Sequence, residues 1–162
     1  MRLCYALYPG PPVYTPAFVS RGPGRGRRAA RVYLAGLGRP GAARIDHGIR
    51  CVGDPGLVRR LREEQIPLTV CPLSNVRLRA VDSMEEHPLK RMLGEGLCVT
   101  VNSDDPAYFG GYVAENYSAV RDGLGFTREE FRAVAENSFK ASFLGADEKK
   151  GLLEELGAHF EM

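Results

Sequence analysis

Long apolar segments and closely spaced cysteine pairs are both missing from this 162-residue sequence. No apolar run reaches the length of a transmembrane helix, and the N-terminus lacks the contiguous apolar core of a secretory signal. The four cysteines (Cys4, Cys51, Cys71 and Cys98) include no Cys-x-x-Cys pair, which argues against a zinc ribbon and against a disulfide scaffold. We therefore expect a soluble globular protein of the reduced cytoplasmic compartment, with no membrane partner.

Acidic residues are absent from residues 1–42, which contain seven arginines, seven glycines and six prolines. The rest of the chain holds 15 basic residues and all 20 acidic ones. No helical or strand period survives in residues 1–42 beyond a few positions. We favour a segment without a stable structure of its own. A basic arm that contacts nucleic-acid phosphates, or an Arg-rich organellar transit segment, are the alternatives.

From Ala43 onward the sequence alternates between strand-like and helix-like stretches. Strands are predicted at 43–48, 66–72 and 97–103, and helices at 54–65, 87–96, 112–122, 127–141 and 146–157. Asp54 is the expected N-cap of the first helix, and Thr127 with Glu130 forms a capping box at a later one. This alternation predicts an α/β domain over residues 43–162, with a parallel sheet and helices outside it.

Polar residues follow each predicted strand at its C-terminal end, where parallel sheets place their functional groups. They are Asp46 and His47 after the first strand, Cys71, Ser74 and Asn75 after the second, and Ser103, Asp104 and Asp105 after the third. The two adjacent carboxylates are costly at the end of a buried strand unless a metal or hydrogen bonds compensate them. The alternative is ordinary loop chemistry, with an Asp capping the next turn and "CPLSN" (71–75) forming a Pro-bounded turn.

We interpret His87 as a structural residue at a helix start and His159 as inert. The residues suggest a metal-assisted site without naming its reaction.

Four segments carry a family likeness: "RIDHG", "PLTVCPLSNVRL", "VTVNSDDPAYFGGY" and "FTREEFRAVAENSFKASFLGADEKKGLLEEL". Together they resemble the second half of the adenosine/adenine deaminase family of metal-dependent hydrolases, over about residues 43–160. The combination of "CPLSN" with "SDDPAYFGGY" is more similar to microbial and fungal adenine deaminases than to adenosine deaminases. The resemblance implies the C-terminal part of a TIM-type (β/α)₈ barrel, namely its last three βα units and the terminal helices.

The resemblance also implies roles for three residues. Asp104 would be a ligand of the catalytic Zn²⁺, Asp105 would hydrogen-bond the purine at N7, and His47 would hold the attacking hydroxide. The implied reaction is hydrolysis of adenine to hypoxanthine and ammonia, with a purine base or nucleoside as the partner. The near alternative is adenosine as substrate, and the alternative from another class is a non-catalytic module whose basic arm binds nucleic acid.

The sequence also departs from this family's pattern. The family's His-x-His metal pair is found nowhere in the chain, and its His-Ala-Gly-Glu motif is missing from residues 1–42, which contain neither His nor Glu. Asp104 alone cannot hold a catalytic zinc, whose sites normally use three protein ligands. We therefore expect a truncated chain that is inactive alone. One hypothesis for residues before about 42 is out-of-frame translation of a deaminase gene. The oligomeric state is left open.

Overall fold

The computed structural model describes Val13–Tyr14 and residues 43–161, which are arranged around a parallel β-sheet. Its strands are β1 (Val13–Tyr14), β2 (Arg44–Asp46), β3 (Leu68–Val70) and β4 (Val99–Val101), and they lie side by side in that order. Ile45 is opposite Leu68, and Leu68 is opposite Val99. The predicted α/β class with parallel strands is confirmed, and each strand is shorter than predicted.

Helices alternate with these strands and then close the chain. A 3-10 helix at Ile49–Gly53 is followed by α1 (Pro55–Glu63), α2 (Pro72–Arg77), α3 (Leu89–Gly94), α4 (Pro106–Phe109), α5 (Val113–Leu124), α6 (Arg128–Ala141) and α7 (Ala146–Glu161). Within the described part of the chain, no helix is both long enough and apolar enough to cross a membrane.

Helix α1 forms as its sequence predicts. The Asp54 carboxylate accepts hydrogen bonds from the backbone N–H groups of Gly56 (2.9 Å) and Leu57 (3.0 Å), which satisfies donors that the helix itself cannot. Leu57, Val58 and Leu61 lie on one face and are buried. The helix therefore covers the sheet with this apolar face.

Helix α6 packs against β4 at the edge of the described sheet. It begins with the predicted capping box, in which the backbone N–H of Thr127 donates to Glu130 (2.8 Å) and the backbone N–H of Glu130 donates to the Thr127 hydroxyl (3.2 Å). Farther along, the Asn137 side chain donates to the Val99 carbonyl at 3.0 Å. Helix α6 thus satisfies a backbone acceptor on β4.

Besides the 3-10 helix at Ile49–Gly53, two short α-helices were not predicted. The "CPLSN" stretch, interpreted from the sequence as a turn, forms the start of α2, with Pro72 in its first turn. Helix α4 begins with Pro106 directly after the paired carboxylates. Both are too short to show a helical period, so only the N-terminal proline marked them.

Of residues 1–42, the structure describes only the backbone of Val13–Tyr14. Val13 pairs with Arg44 and Tyr14 with Ile45, parallel to β2. The rest of the segment lies outside the described residues, so the predicted boundary at 42 and the proposed lack of structure before it stay predictions.

Candidate active site

The polar residues that follow β2, β3 and β4 meet at the C-terminal edge of the sheet. The Asn75 amide nitrogen is 3.2 Å from Nδ1 of His47, and the Ser74 hydroxyl donates to Oδ2 of Asp104 at 2.6 Å. His47 Nε2 lies 3.7 Å from the same Asp104 oxygen. The structure therefore brings together His47, Ser74, Asn75 and Asp104, which belong to the polar residues that the sequence places after the three strands.

His47 and Asp104 both adopt left-handed backbone conformations, with φ of 60° and 62°. This region costs a non-glycine residue about 1–2 kcal/mol, and such residues concentrate at functional sites. Gly48 follows His47 with φ of 72°, and a Cβ there would lie only 2.8 Å from Cδ2 of Leu68. The chain thus turns sharply after β2, and this turn aims the His47 ring toward Asp104.

Asp104 has a specific partner in Ser74, which is fully buried. The short hydroxyl hydrogen bond compensates the carboxylate, whose side chain is 27% exposed. Ser74 belongs to α2 and Asp104 follows β4, so two elements fix the orientation of the carboxylate. The second Asp104 oxygen is not used by this bond.

Asp105 is exposed and lies at the N-cap of α4. Its Oδ1 accepts a hydrogen bond from the Tyr108 backbone N–H at 3.1 Å. This contact is the capping role that the sequence left open as the structural alternative. Its proposed contact with a purine stays a prediction.

Cys71 joins His47 and Asp104 in a group whose ligand atoms lie within 4.8 Å of one another. Burial, followed by the nearby Asp104 and Asp46 carboxylates, raises the pKa of the Cys71 thiol above its ordinary range. Its Sγ also lies 3.5 Å from the Thr69 carbonyl oxygen, to which the thiol donates. Metal binding requires a thiolate, so the raised pKa makes Cys71 an unfavourable ligand in the chain alone. Among the described residues, these three side chains therefore form an unfavourable three-ligand zinc site.

Behind the cluster lies His87, which is only 3% exposed. Its Nε2 is 3.1 Å from the Asn75 carbonyl oxygen, and its Nδ1 accepts from the Leu89 backbone N–H at 3.1 Å. Burial lowers the pKa of His87 to about 4. The sequence indicated a structural residue at a helix start. It gave no signal that His87 contacts Asn75, because a contact between residues 12 positions apart depends on how α2 and α3 pack.

Comparison with known proteins identifies the family of this cluster. The family model described as "Adenosine deaminase" matches residues 31–159. The chain belongs to the adenosine deaminase family. The match begins 12 residues before the start of the resemblance at residue 43 and ends near its predicted end.

Relatives within this family are named adenine deaminases. The adenine deaminase of Streptomyces coelicolor is 62% identical over 109 residues, which cover 67% of this chain and 32% of that protein. That of Hahella chejuensis is 55% identical over 118 residues, covering 73% of this chain and 35% of the relative. The chain thus spans about a third of the length of these relatives.

Two solved structures share this fold. An adenine deaminase from Arthrobacter aurescens matches with a TM-score of 0.79 and 50% identity, over 82% of this chain and 41% of that one. An amidohydrolase from Burkholderia ambifaria, solved with bound Zn, matches with a TM-score of 0.75 and 27% identity, over 82% and 37%.

Proposed function

We propose that this chain forms the C-terminal part of a (β/α)₈-barrel adenine deaminase and supplies one wall of its active site. The observation that carries the proposal is the meeting of His47, Ser74, Asn75 and Asp104 at the C-terminal ends of parallel strands. In barrels of this type, catalytic residues lie at those ends. The three free buried cysteines in the described residues (Cys51, Cys71 and Cys98) support a reduced, cytoplasmic setting.

The three site residues have the roles that the likeness to the adenosine deaminase family implies. Asp104, oriented by Ser74, would be one ligand of a zinc ion, and the bound Zn of the Burkholderia amidohydrolase supports this choice of metal. Such an ion lowers the pKa of water and so supplies the hydroxide nucleophile. His47 would donate a hydrogen bond to the attacking oxygen from Nε2. Asp105 would donate to purine N7, and it must carry a proton to do so because N7 only accepts.

Adenine is the proposed substrate in preference to adenosine. Both Streptomyces coelicolor and Arthrobacter aurescens relatives carry the name adenine deaminase, at 62% and 50% identity. The reaction would replace the C6 amino group with oxygen, releasing ammonia and hypoxanthine. The missing ligands and the general acid would come from residues that this sequence does not contain.

A chimaera tests the proposal directly. Residues 43–161 would replace the matching segment of the Streptomyces coelicolor adenine deaminase, and hypoxanthine and inosine formation would be measured with adenine and adenosine. We expect turnover of adenine in preference to adenosine. Asp104→Asn in the chimaera should bring activity below detection, because the amide is a poor zinc ligand.

The matched control is Asp147→Asn, at an exposed position in the first turn of α7, and it should leave turnover unchanged. A folded chimaera without adenine turnover, or full activity with Asp104→Asn, contradicts the proposal. Preference for adenosine would correct the substrate and leave the reaction class standing.

A further inference from the structure

Three side chains, His87, Asn75 and His47, form a continuous hydrogen-bonded row from the protein interior to the site. The contacts are 3.1 Å between His87 Nε2 and Asn75 Oδ1, and 3.2 Å between Asn75 Nδ2 and His47 Nδ1. We propose that this row fixes the proton of neutral His47 on Nε2 and makes His87 and Asn75 positioning residues for that ring.

The donor and acceptor roles along the row are set at its buried end. The backbone N–H of Leu89 can only donate, and it points at Nδ1 of His87 at 3.1 Å. Nδ1 therefore carries no proton, so the proton of the neutral ring is on Nε2. The lowered pKa of His87, which follows from its burial, agrees with a neutral ring.

Asn75, the middle residue of the row, is completely buried. The Nε2–H of His87 needs an acceptor, so it selects the Asn75 orientation that presents the carbonyl oxygen. The Asn75 NH₂ group then faces His47. Because an amide NH₂ only donates, Nδ1 of His47 must accept.

His47 is left with its proton on Nε2, the nitrogen that faces the site. The nearest carboxylate oxygen, Oδ2 of Asp104, is 3.7 Å away, which is too far for a hydrogen bond. The Nε2–H is thus available to an oxygen atom of a ligand, and His47 is a hydrogen-bond donor there, not a base. Its catalytic consequence rests on the proposed function, whereas the tautomer itself does not.

NMR of the 162-residue chain tests the tautomer, and the presence of only three histidines makes the spectrum simple. Long-range ¹H–¹⁵N spectra at about pH 8, above the ordinary imidazole pKa, distinguish a protonated from an unprotonated ring nitrogen. We expect wild-type His47 and His87 to carry their protons on Nε2 only. Substitution of His47 assigns its signals. A proton on Nδ1 of wild-type His47 overturns the proposal.

Asn75→Asp replaces the hydrogen-bond donor that faces His47 with an acceptor. Both carboxylate oxygens accept, so Nδ1 of His47 must gain a proton, and its ¹⁵N signal should shift to the protonated range. Asn137→Asp is the matched control, since Asn137 donates only to the Val99 carbonyl, away from His47. A folded Asn75→Asp chain with an unprotonated His47 Nδ1 contradicts the proposal.

A second pair of variants decides the question if Asn75→Asp does not fold. His87→Met removes the donor that orients Asn75, so His47 should populate both tautomers. His87→Gln retains an N–H donor and should keep the single Nε2–H tautomer. Identical tautomer populations in these two variants overturn the proposal.

The chimaera tests the effect of this row on catalysis. There, His87→Met should lower kcat with little change in KM, by roughly the 10- to 100-fold that outer hydrogen-bond partners of site residues supply. His87→Gln should restore most of that loss. An inactive chimaera would count against the proposed function alone, because the NMR result in the isolated chain is independent of turnover.

Discussion

At the scale of single residues, the site depends on backbone conformations that side chains rarely adopt. His47 and Asp104 follow different strands, yet both have φ near +60°. His47 directly follows β2 and Asp104 lies three residues beyond the end of β4, and Nε2 of His47 is 3.7 Å from the Asp104 carboxylate. The strain is offset by the strands and helices that hold both sides of the turn.

At this same scale, the burial of His87 predicts how the stability of the chain depends on pH. Its pKa is about 4 in the folded chain, against an ordinary value of 6.5, because burial disfavours the charged ring. The unfolded chain therefore binds a proton more readily between these values. The His87 contribution is complete above pH 6.5 and is lost as the pH falls toward 4. The free energy of unfolding should drop by up to about 3 kcal/mol over this window.

Urea unfolding from about pH 7.5 down to about pH 4 measures this loss. His87→Gln has no titrating ring and should show a flatter profile, so the difference between the two curves isolates His87. His159→Gln is the control, since His159 is exposed on α7 and should retain the wild-type profile. Parallel curves for wild type and His87→Gln would show that His87 is not buried as a neutral ring.

At the scale of elements, helix α4 gives Asp105 a structural role that competes with its proposed contact with substrate. Asp105 caps this four-residue helix through Tyr108, at an exposed position. The two roles can be separated because Ser is a good N-cap and Ala is a poor one, whereas neither reaches as far as Asp.

Asp105→Ala should therefore lower the free energy of unfolding by about 1 kcal/mol, whereas Asp105→Ser should be nearly neutral. In the chimaera, both variants should raise KM for adenine to a similar extent, because both lose the proposed N7 contact. Urea unfolding and steady-state kinetics give the two readouts. Wild-type kinetics in Asp105→Ser would assign Asp105 to capping alone.

At the scale of the whole molecule, the described sheet presents one wall of a site. The described residues bring ligand atoms of His47, Cys71 and Asp104 within 4.8 Å of one another, and burial raises the pKa of the Cys71 thiol. Residues 1–42 add no His, Asp or Glu to this set. In the part of the chain that the structure describes, Asp104 therefore has only unfavourable partners for holding a catalytic zinc.

We accordingly expect the isolated 162-residue chain to bind zinc weakly and to convert adenine to hypoxanthine at a negligible rate. Isothermal titration with Zn²⁺, with the chimaera measured alongside, gives the zinc affinity. Hypoxanthine formation gives the rate of adenine conversion. Tight stoichiometric binding that disappears with Asp104→Asn, or turnover at an ordinary enzymatic rate, would refute this expectation.

The sequence by itself determined the structural features that depend on residues close together along the chain. The apolar period and the Asp54 cap identified α1, the Thr127 capping box identified α6, and the alternation of strands and helices identified the parallel α/β class. Motif likeness predicted the family, which the match to residues 31–159 confirmed. Short helices such as α2 were missed because six residues carry too little periodicity.

Only the tertiary structure decided which side chains meet. Asn75 contacts His47, 28 residues away, and also His87, 12 residues away. Ser74 reaches Asp104 across 30 residues. Residues this far apart in the sequence meet because of the strand register and the packing of α2 and α3, which no local pattern encodes. The sequence therefore placed the polar residues at one edge of the sheet, and the fold set the direction of the hydrogen bonds between them.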